Sequence, residues 1–176
     1  MHNFNVFHND LQFKACNHAY ILQFTTGTTL REKEFADIPQ FQYDFKKFSE
    51  ILAGHFNVDL LVDIISVVDK MIFSQTQASL KKVIFNLRDS SGDVITCTLW
   101  ESHAMKFFNC YNNFTIGEPL IVLLTHERVK EGQGKYPPSV SNSWCGSKIL
   151  IGDEIPDYQK YKDRYILFCK VITIFR

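Results

Sequence analysis

The sequence has no excess of charge of either sign: nineteen Lys and Arg stand against nineteen Asp and Glu in 176 residues. That balance excludes a polybasic tail and a highly charged disordered chain. Any nucleic-acid partner must therefore be held by a local patch. Cysteine pairing is absent as well. Cys16, Cys97, Cys110, Cys145 and Cys169 are odd in number, widely spaced and contain no CxxC, which indicates neither a disulfide framework nor a zinc ribbon and points to reduced intracellular thiols. The longest apolar stretch, Tyr165 to Phe175, is too short to span a bilayer and carries Lys170 in its middle. The opening Met-His-Asn-Phe-Asn lacks the basic region and apolar run of a signal peptide. A cytosolic or nuclear chain with no membrane association is the expectation.

Catalytic templates are missing too. There is no GxSxG, HExxH, GxxxxGK[ST] or GxGxxG. Cys16 and His18 have no third ligand, and Trp144-Cys145-Gly146-Ser147 is only superficially like a thiol-protease neighbourhood, since the residues that would precede it are different. His103 and His126 have no acidic partner at a telling spacing. The sequence thus assigns no catalytic residue, metal ligand or cofactor, and an enzyme is not expected.

What is present is aromatic: sixteen Phe and seven Tyr, rings that bury large areas and also stack on bases. Phe4, Val6 and His8 alternate along one strand, and after an Asn9-Asp10 turn signal Tyr20, Leu22 and Phe24 alternate along another. Beyond Pro39, Phe45, Phe48, Ile51 and Leu52 recur at helical spacing, with Asp44 as N-cap and Gly54 as stop, which predicts a short linker helix. From Val58 to Ile151 strand follows strand: Leu60–Phe73, Lys81–Asp89, Asp93–Trp100, Leu120–Lys130 and Val140–Ile151. Five strands in so short a segment suggest a small barrel. Asp89-Ser90-Ser91-Gly92-Asp93 has tight-turn composition and makes the second and third strands a hairpin. Between the third and fourth, Ala104, Phe107 and Phe108 fall on one face of a short helix that would plug the barrel. The order β-β-β-α-β-β is that of the OB-fold, so the expectation is a mainly β chain built on a five-stranded OB barrel. From Asp153 to Arg176 a Pro156-Asp157 break and a charged run read as a linker or tail.

Period-two bookkeeping assigns faces within the hairpin. Val83, Phe85 and Leu87 share one face with Ile95, Cys97 and Leu99, and these fill the barrel. Lys82, Asn86 and Arg88 then face outward with Thr96, Thr98 and Trp100. An aromatic in that polar, partly basic setting suits unpaired bases, because every base has a π-face; the alternative is a tryptophan half buried under the linker helix or a loop. The segment Arg128-Val129-Lys130-Glu131-Gly132-Gln133-Gly134-Lys135-Tyr136 adds cations, a ring and flexibility beside the OB face that binds single strands, although charge runs are usually solvated loops. From Val58 to Gly152 nine cations balance nine anions, which predicts modest affinity and a shallow salt dependence.

Several of these segments together resemble one family. Leu61-Val62-Asp63-Ile64-Ile65-Ser66-Val67-Val68, the Arg88–Gly92 turn, Thr96-Cys97-Thr98-Leu99-Trp100, and Arg128-Val129-Lys130-Glu131 before a Gly-rich loop are similar to the second DNA-binding OB domain of the large (70 kDa) subunit family of replication protein A, in its plant-type form. Ile155-Pro156-Asp157-Tyr158 looks like the exit from that domain. Phe4-Asn5-Val6, Tyr20-Ile21-Leu22-Gln23-Phe24 and Thr28-Thr29 look like the closing strands of the preceding OB domain. The resemblance divides the chain into 1–57, an incomplete OB remnant with its linker helix; 58–152, a complete nucleic-acid-binding OB domain; and 153–176, a tail.

The resemblance implies a non-catalytic, nuclear single-stranded DNA-binding module of DNA replication, repair and recombination, with other replication protein A subunits or OB-fold proteins as further partners. Trp100 matches the family's stacking aromatic, and Arg128 and Lys130 lie where it contacts the DNA backbone. The resulting candidate surface is Trp100, Lys82, Asn86, Arg88, Thr98, Arg128, Lys130, Lys135 and Tyr136. One departure concerns the loop: the family usually carries a second stacking aromatic where this chain has Gly132, with Tyr136 as the available substitute. Together with the neutral charge, that departure sustains an alternative, a degenerate OB module that binds proteins rather than DNA. Incomplete sheet edges would also invite a second copy of the chain.

Overall fold

A computed structural model of the chain describes residues 1–39, 41–75, 81–114 and 118–174. Among the described residues the first two strands, β1 (His2–His8) and β2 (Tyr20–Thr29), pair only with each other. Their register sets Phe4 against Phe24, Val6 against Leu22 and His8 against Tyr20, so the alternating rows seen in the sequence do share a face. Among the described residues nothing packs over that face, and Val6, Leu22 and Phe24 are exposed. Between the strands, the Asn9 N–H donates to the Ala19 carbonyl at 2.8 Å. The loop so closed reaches the rest of the molecule through Lys14, whose N–H donates to the Asp59 carbonyl (2.7 Å) and whose carbonyl accepts from the Leu61 N–H (2.9 Å).

A closed barrel follows. Its strands are β3 (Val62–Ser74), β4 (Lys82–Arg88), β5 (Val94–Trp100), β6 (Ile121–Lys130) and a last strand broken into β7 (Ser139–Asn142) and β8 (Lys148–Ile151). β3 bends across the barrel, pairing with β6 along its first half and with β4 along its second. Parallel pairing of β5 with β7 closes the cylinder. With helix α2 (Glu101–Asn112) between β5 and β6, this is the OB-fold connectivity. Val83, Phe85, Leu87, Ile95, Cys97 and Leu99 are all at most 1 % exposed, so the inward set is the one that alternation assigns. Ala104 and Phe107 of α2 are buried beneath them, and the Phe107 ring lies on that of Phe85, centroids 3.9 Å apart.

Three local readings need correction. The linker helix α1 is only Phe48–Leu52, because Phe45 instead bridges Asp63 of β3. Its cap is not Asp44, which pairs with Lys46 on the surface at 2.8 Å. Asp89, buried in the hairpin turn, accepts from the Phe48 N–H at 3.2 Å and from the N–H groups of Ser91 (2.9 Å) and Asp93 (3.1 Å). One carboxylate thus shapes the turn and starts the helix, and no local pattern reveals a partner forty residues away. Gly54 does end the helix, in the left-handed conformation (φ 73°) that glycine adopts without steric cost. The last strand is split by a turn at Ser143–Ser147. Finally, the stretch from Asp153, expected as a linker or tail, holds a helix: after the break at Asp157 comes α3 (Tyr158–Ile174), which packs on the outside of the barrel through Tyr158, Tyr161 and Tyr165. Its Tyr165 is buried among Ile121, Leu123 and Ile155 and donates its hydroxyl to the Ile65 carbonyl at 2.9 Å. Phe175 lies outside the described residues. Among the described residues no helix is long and apolar enough to cross a membrane.

Strand β6 changes phase midway. Val122 and Leu124 point into the barrel, opposite Ser66 and Ile64. Strict alternation would carry His126, Arg128 and Lys130 inward after them. Instead His126 adopts φ 56°, and the ladder to β3 skips a residue between the Ile64–Leu124 and Val62–Glu127 pairs. This is a β-bulge, and side chains satisfy the displaced backbone. The His126 N–H donates to Asp63 Oδ1 at 3.0 Å, and its carbonyl accepts from Ser147 Oγ at 2.7 Å. Beyond it Glu127 and Val129 face inward while Arg128 and Lys130 face out.

Glu127 is consequently fully buried, and neither carboxylate oxygen has a hydrogen-bond partner among the described residues. Loss of solvation pushes its carboxyl up to about 8; the nearby Ser147 hydroxyl, which donates to the His126 carbonyl, works against this, and the Asp63 charge adds to it. Because the folded pKa lies above the ordinary value of 4.5, the unfolded chain sheds a proton that the folded chain keeps, and stability falls as pH rises from about 4.5 to about 8. Glu127→Gln should therefore melt with the parent near pH 4 and above it at neutral pH, the gap widening until about pH 8. Thermal unfolding across that range checks this, and a pH-independent gap would contradict it.

Candidate nucleic-acid interface

The outward face of the barrel lies across β4, β5, β7 and β6. Cross-strand register aligns it in rows. Asn86, Thr96, Ser139 and Lys130 form one row, and Ile84, Thr98, Ser141 and Arg128 the next. Lys82 and Trp100 pair at the far end. Hence Thr98 and Arg128 stand two strands apart in one row, as Thr96 and Lys130 do in the other.

Trp100 is 38 % exposed, and Lys82 Nζ sits 4.8 Å above its ring. Its backbone N–H donates to Asn142 Oδ1 at 2.8 Å. Asn142, at the end of β7, thereby fixes where β5 turns into α2. It escaped sequence reasoning because nothing in Ser-Val-Ser-Asn marks it.

Arg128 and Lys130 emerge from the bulged half of β6. The Arg128 guanidinium lies 3.8 Å from the centroid of the Phe13 ring, a cation–π contact supplied by the loop between β1 and β2. An open groove of about 570 Å³ runs past Phe13, Arg128, Lys130, Gln133 and Tyr136. The Lys130 ammonium is held below the usual lysine range, first by partial desolvation and then by the positive charges of Arg128 and Lys82. Mutual repulsion among cations is the electrostatic signature of a surface that gains by receiving an anion.

The remaining candidates divide. Lys135 Nζ lies 5.6 Å from the ring of Tyr136, which is 68 % exposed. Asn86 accepts from the Thr96 hydroxyl at 3.1 Å, so its oxygen is spent within the sheet. Arg88 is committed elsewhere. It donates through Nη2 and Nε to Asp69 Oδ1 (2.7 and 3.0 Å) and through Nη1 to the Gly92 carbonyl (3.2 Å). That fork braces the hairpin turn against β3, a role that an outward-facing assignment alone does not reveal.

Among the described residues no cluster of three or more His, Cys, Asp or Glu could hold a metal ion. Burial pushes the Cys97 thiol well above its ordinary value, with Glu127 adding to the shift, so it is an inert core group rather than a nucleophile.

No family model matches the chain. Over 158 residues it is 30 % identical to the replication protein A 70 kDa DNA-binding subunit of Xenopus tropicalis, and equally to that of Xenopus laevis, alignments that cover 86 % of this chain and 24 % of each relative. The corresponding subunit of Gallus gallus is 28 % identical over 103 residues, 54 % of this chain and 16 % of that protein. The chain thus spans about a quarter, 24 %, of the length of the frog relatives that it matches. Among solved structures, a replication protein A heterotrimer bound to ssDNA superposes with a TM-score of 0.56 at 22 % identity, covering 93 % of this chain and 37 % of that one. That likeness shows the shared fold.

The loop between β6 and β7 explains the missing aromatic. Gln133 and Tyr136 exchange both backbone hydrogen bonds, at 2.9 and 3.0 Å, folding the loop into a tight turn over Gly132. A Cβ on Gly132 would lie 2.9 Å from the Tyr136 carbonyl oxygen and 3.1 Å from Pro138 Cδ. No side chain fits there without moving the loop. Gly132→Phe should therefore destabilise the chain by about 1–3 kcal/mol, the usual cost of overpacking, and should not tighten oligonucleotide binding. A melting curve and a titration test both halves, and a stable variant that binds more tightly would refute the steric account.

Proposed function

We propose that this chain binds single-stranded DNA across the outward face of its barrel, as a non-catalytic module of a replication protein A-like subunit. The observation that carries this reading is Trp100, a partly exposed tryptophan on a polar strand face with the Lys82 ammonium over its ring. A base stacks on that ring, a contact of about 1–3 kcal/mol. Lys82, Arg128, Lys130 and Lys135 meet phosphates, Thr98 and Asn86 line the floor, and Tyr136 offers a second ring at the loop. Arg88 serves the turn and leaves the phosphate contacts to the others. The similarity to the 70 kDa subunits supports the assignment, and the order of the Arg88–Gly92, Thr96–Trp100 and Arg128–Glu131 segments favours the second DNA-binding OB domain in its plant-type form. On this reading the protein works in the nucleus, in replication, repair and recombination, beside other replication protein A subunits. A specific observation favours protein binding at a separate place: the uncovered β1–β2 face with its exposed Val6, Leu22 and Phe24 is an unpartnered sheet of the kind that pairs with another chain.

Fluorescence anisotropy of a labelled poly-dT strand of about 20 nucleotides, ample for the ~4–16 that one OB fold covers, tests the DNA reading, with matched duplex as control. Salt-sensitive binding of modest affinity that prefers the single strand is expected. Trp100→Ala should weaken it by about 5- to 150-fold, the equivalent of one stacked base. Lys130→Gln should reduce the slope of log K against log salt by about 0.7, one neutralised phosphate, whereas Arg88→Gln should leave that slope unchanged. No preference over duplex at low salt would reject the reading.

A further inference from the structure

The chain's other tryptophan has no place in the surface so far described. Trp144 is completely exposed (101 %) at the tip of the turn that breaks the last barrel strand. That turn is firmly built. Ser143 and Ser147 are both buried; the Ser143 N–H donates to Ser147 Oγ at 2.8 Å, the two hydroxyls are 3.0 Å apart, and Ser143 Oγ donates to the Cys145 carbonyl at 3.0 Å. Ser147 also bonds the His126 bulge through Oγ (2.7 Å), and its carbonyl meets His103 Nε2 of α2 at 2.9 Å. Gly146 takes φ 107° to complete the reversal. Its own hydroxyls and two elements, β6 and α2, thus hold in place a turn whose outermost member is a large bare ring.

Its place on the barrel matters as much. The parallel register of β5 with β7 pairs Thr96 with Ser139 and Thr98 with Ser141. Continued by two residues, it brings Ser143 level with Trp100, and the bond from the Trp100 N–H to Asn142 Oδ1 agrees. Trp144 follows in the turn immediately beyond β7, next in sequence to the Ser143 that this projection sets level with Trp100. The residues beside it are an exposed Cys145, Gly146 and Lys148, not the apolar patch with a sheltering rim that marks a protein hot spot. A bare ring on a preorganised backbone, with the exposed Lys148 four residues on in sequence, fits the flat face of a nucleobase and its phosphate.

We propose that Trp144 is a second stacking platform for single-stranded nucleic acid, extending the binding face past Trp100 and taking over the stacking role that Gly132 cannot fill. The proposal rests on the single-strand reading above. Only two tryptophans are present, so in the Trp100→Phe variant all tryptophan emission comes from Trp144. Titrating that variant with unlabelled poly-dT of about 20 nucleotides, as in the anisotropy assay, should quench the emission with the midpoint that anisotropy gives for the same variant. In the otherwise native chain Trp144→Ala should weaken binding by about 5- to 150-fold and Trp144→Phe should restore most of it, with melting temperatures unchanged. Anisotropy that reports binding, unquenched Trp144 emission and an undiminished Trp144→Ala variant would overturn this proposal alone. Loss of concentration-dependent self-association in Trp144→Ala, with DNA binding intact, would overturn it in favour of a protein contact. No binding of poly-dT by the native chain would overturn it together with the reading on which it rests.

Discussion

The rest of the structure depends on one residue out of phase. A barrel strand that alternates strictly from Val122 and Leu124 would bury Arg128 and Lys130, and no small barrel tolerates two unpaired cations in its core. The left-handed turn of the backbone at His126 avoids this, at a conformational cost of about 1–3 kcal/mol for a residue other than glycine. Asp63 from β3 and Ser147 from the last strand take up the two peptide groups that the bulge removes from the ladder. The same shift turns Glu127 inward, where the barrel holds it as a neutral acid. Placing one carboxyl, which can keep its proton, in the core costs less than placing a guanidinium there, which cannot lose its proton. The cationic face and the buried acid are thus two consequences of a single event.

The bulge also explains the broken fifth strand. β6 pairs with β7 from Glu127 to Lys130 and with β8 from Val122 to Thr125, so the interruption at Ser143–Ser147 lies opposite the interruption at His126. Ser147 spans the gap between them. The exposed turn is therefore part of the barrel's closure rather than an insertion upon it, and its rigidity follows from the same bonds that hold the phase of β6. On the other side of the sheet, Arg88 and Asp89 serve the hairpin: one braces the turn to Asp69, the other starts α1. Of the cations that face outward, those near the turn are consumed by structure. Those on the β6 side and at the Lys82–Trp100 end lack comparable ion pairs in the described residues, which is how a chain of zero net charge retains a locally positive face.

Legibility in the sequence followed the range of the interactions. Alternation within β4 and β5 is local, and it assigned Val83, Phe85, Leu87, Ile95, Cys97 and Leu99 to the core without error. The Asp89–Asp93 turn and the Ala104–Phe107 face of α2 are local too, and both stand where their patterns put them. What escaped depends on distant partners. A bulge leaves no mark in a run such as Leu-Leu-Thr-His-Glu-Arg-Val-Lys, because its cause is Asp63, more than sixty residues away. The helical continuation from Tyr158 was hidden by its weak amphipathicity, since it buries tyrosines on the outside of a barrel and not an aliphatic stripe in a core. Within the candidate surface, the facing of Lys82 and Trp100 was legible, whereas the engagement of Arg88 and the contact of Phe13 with Arg128 were not.

That last contact changes the extent of the candidate face. Read by strand count, the barrel from residue 58 onward is self-sufficient and the first two strands are an appendage. Yet the loop between those strands is fastened to the barrel by both backbone groups of Lys14, and the next residue back, Phe13, lies against Arg128 in the groove that leads to Tyr136. A ring over a guanidinium holds that side chain in one orientation while leaving its charge intact. The Arg128 Nε has no hydrogen-bond partner among the described residues and is shielded from solvent, so the charge is poorly neutralised where it stands. An extended polyanion crossing the face would meet a cation already positioned and incompletely paired, and would not have to bear the entropy of ordering it. The N-terminal segment, whatever else it pairs with, is thus one wall of the groove, and the unit that presents the cationic surface is larger than the barrel alone.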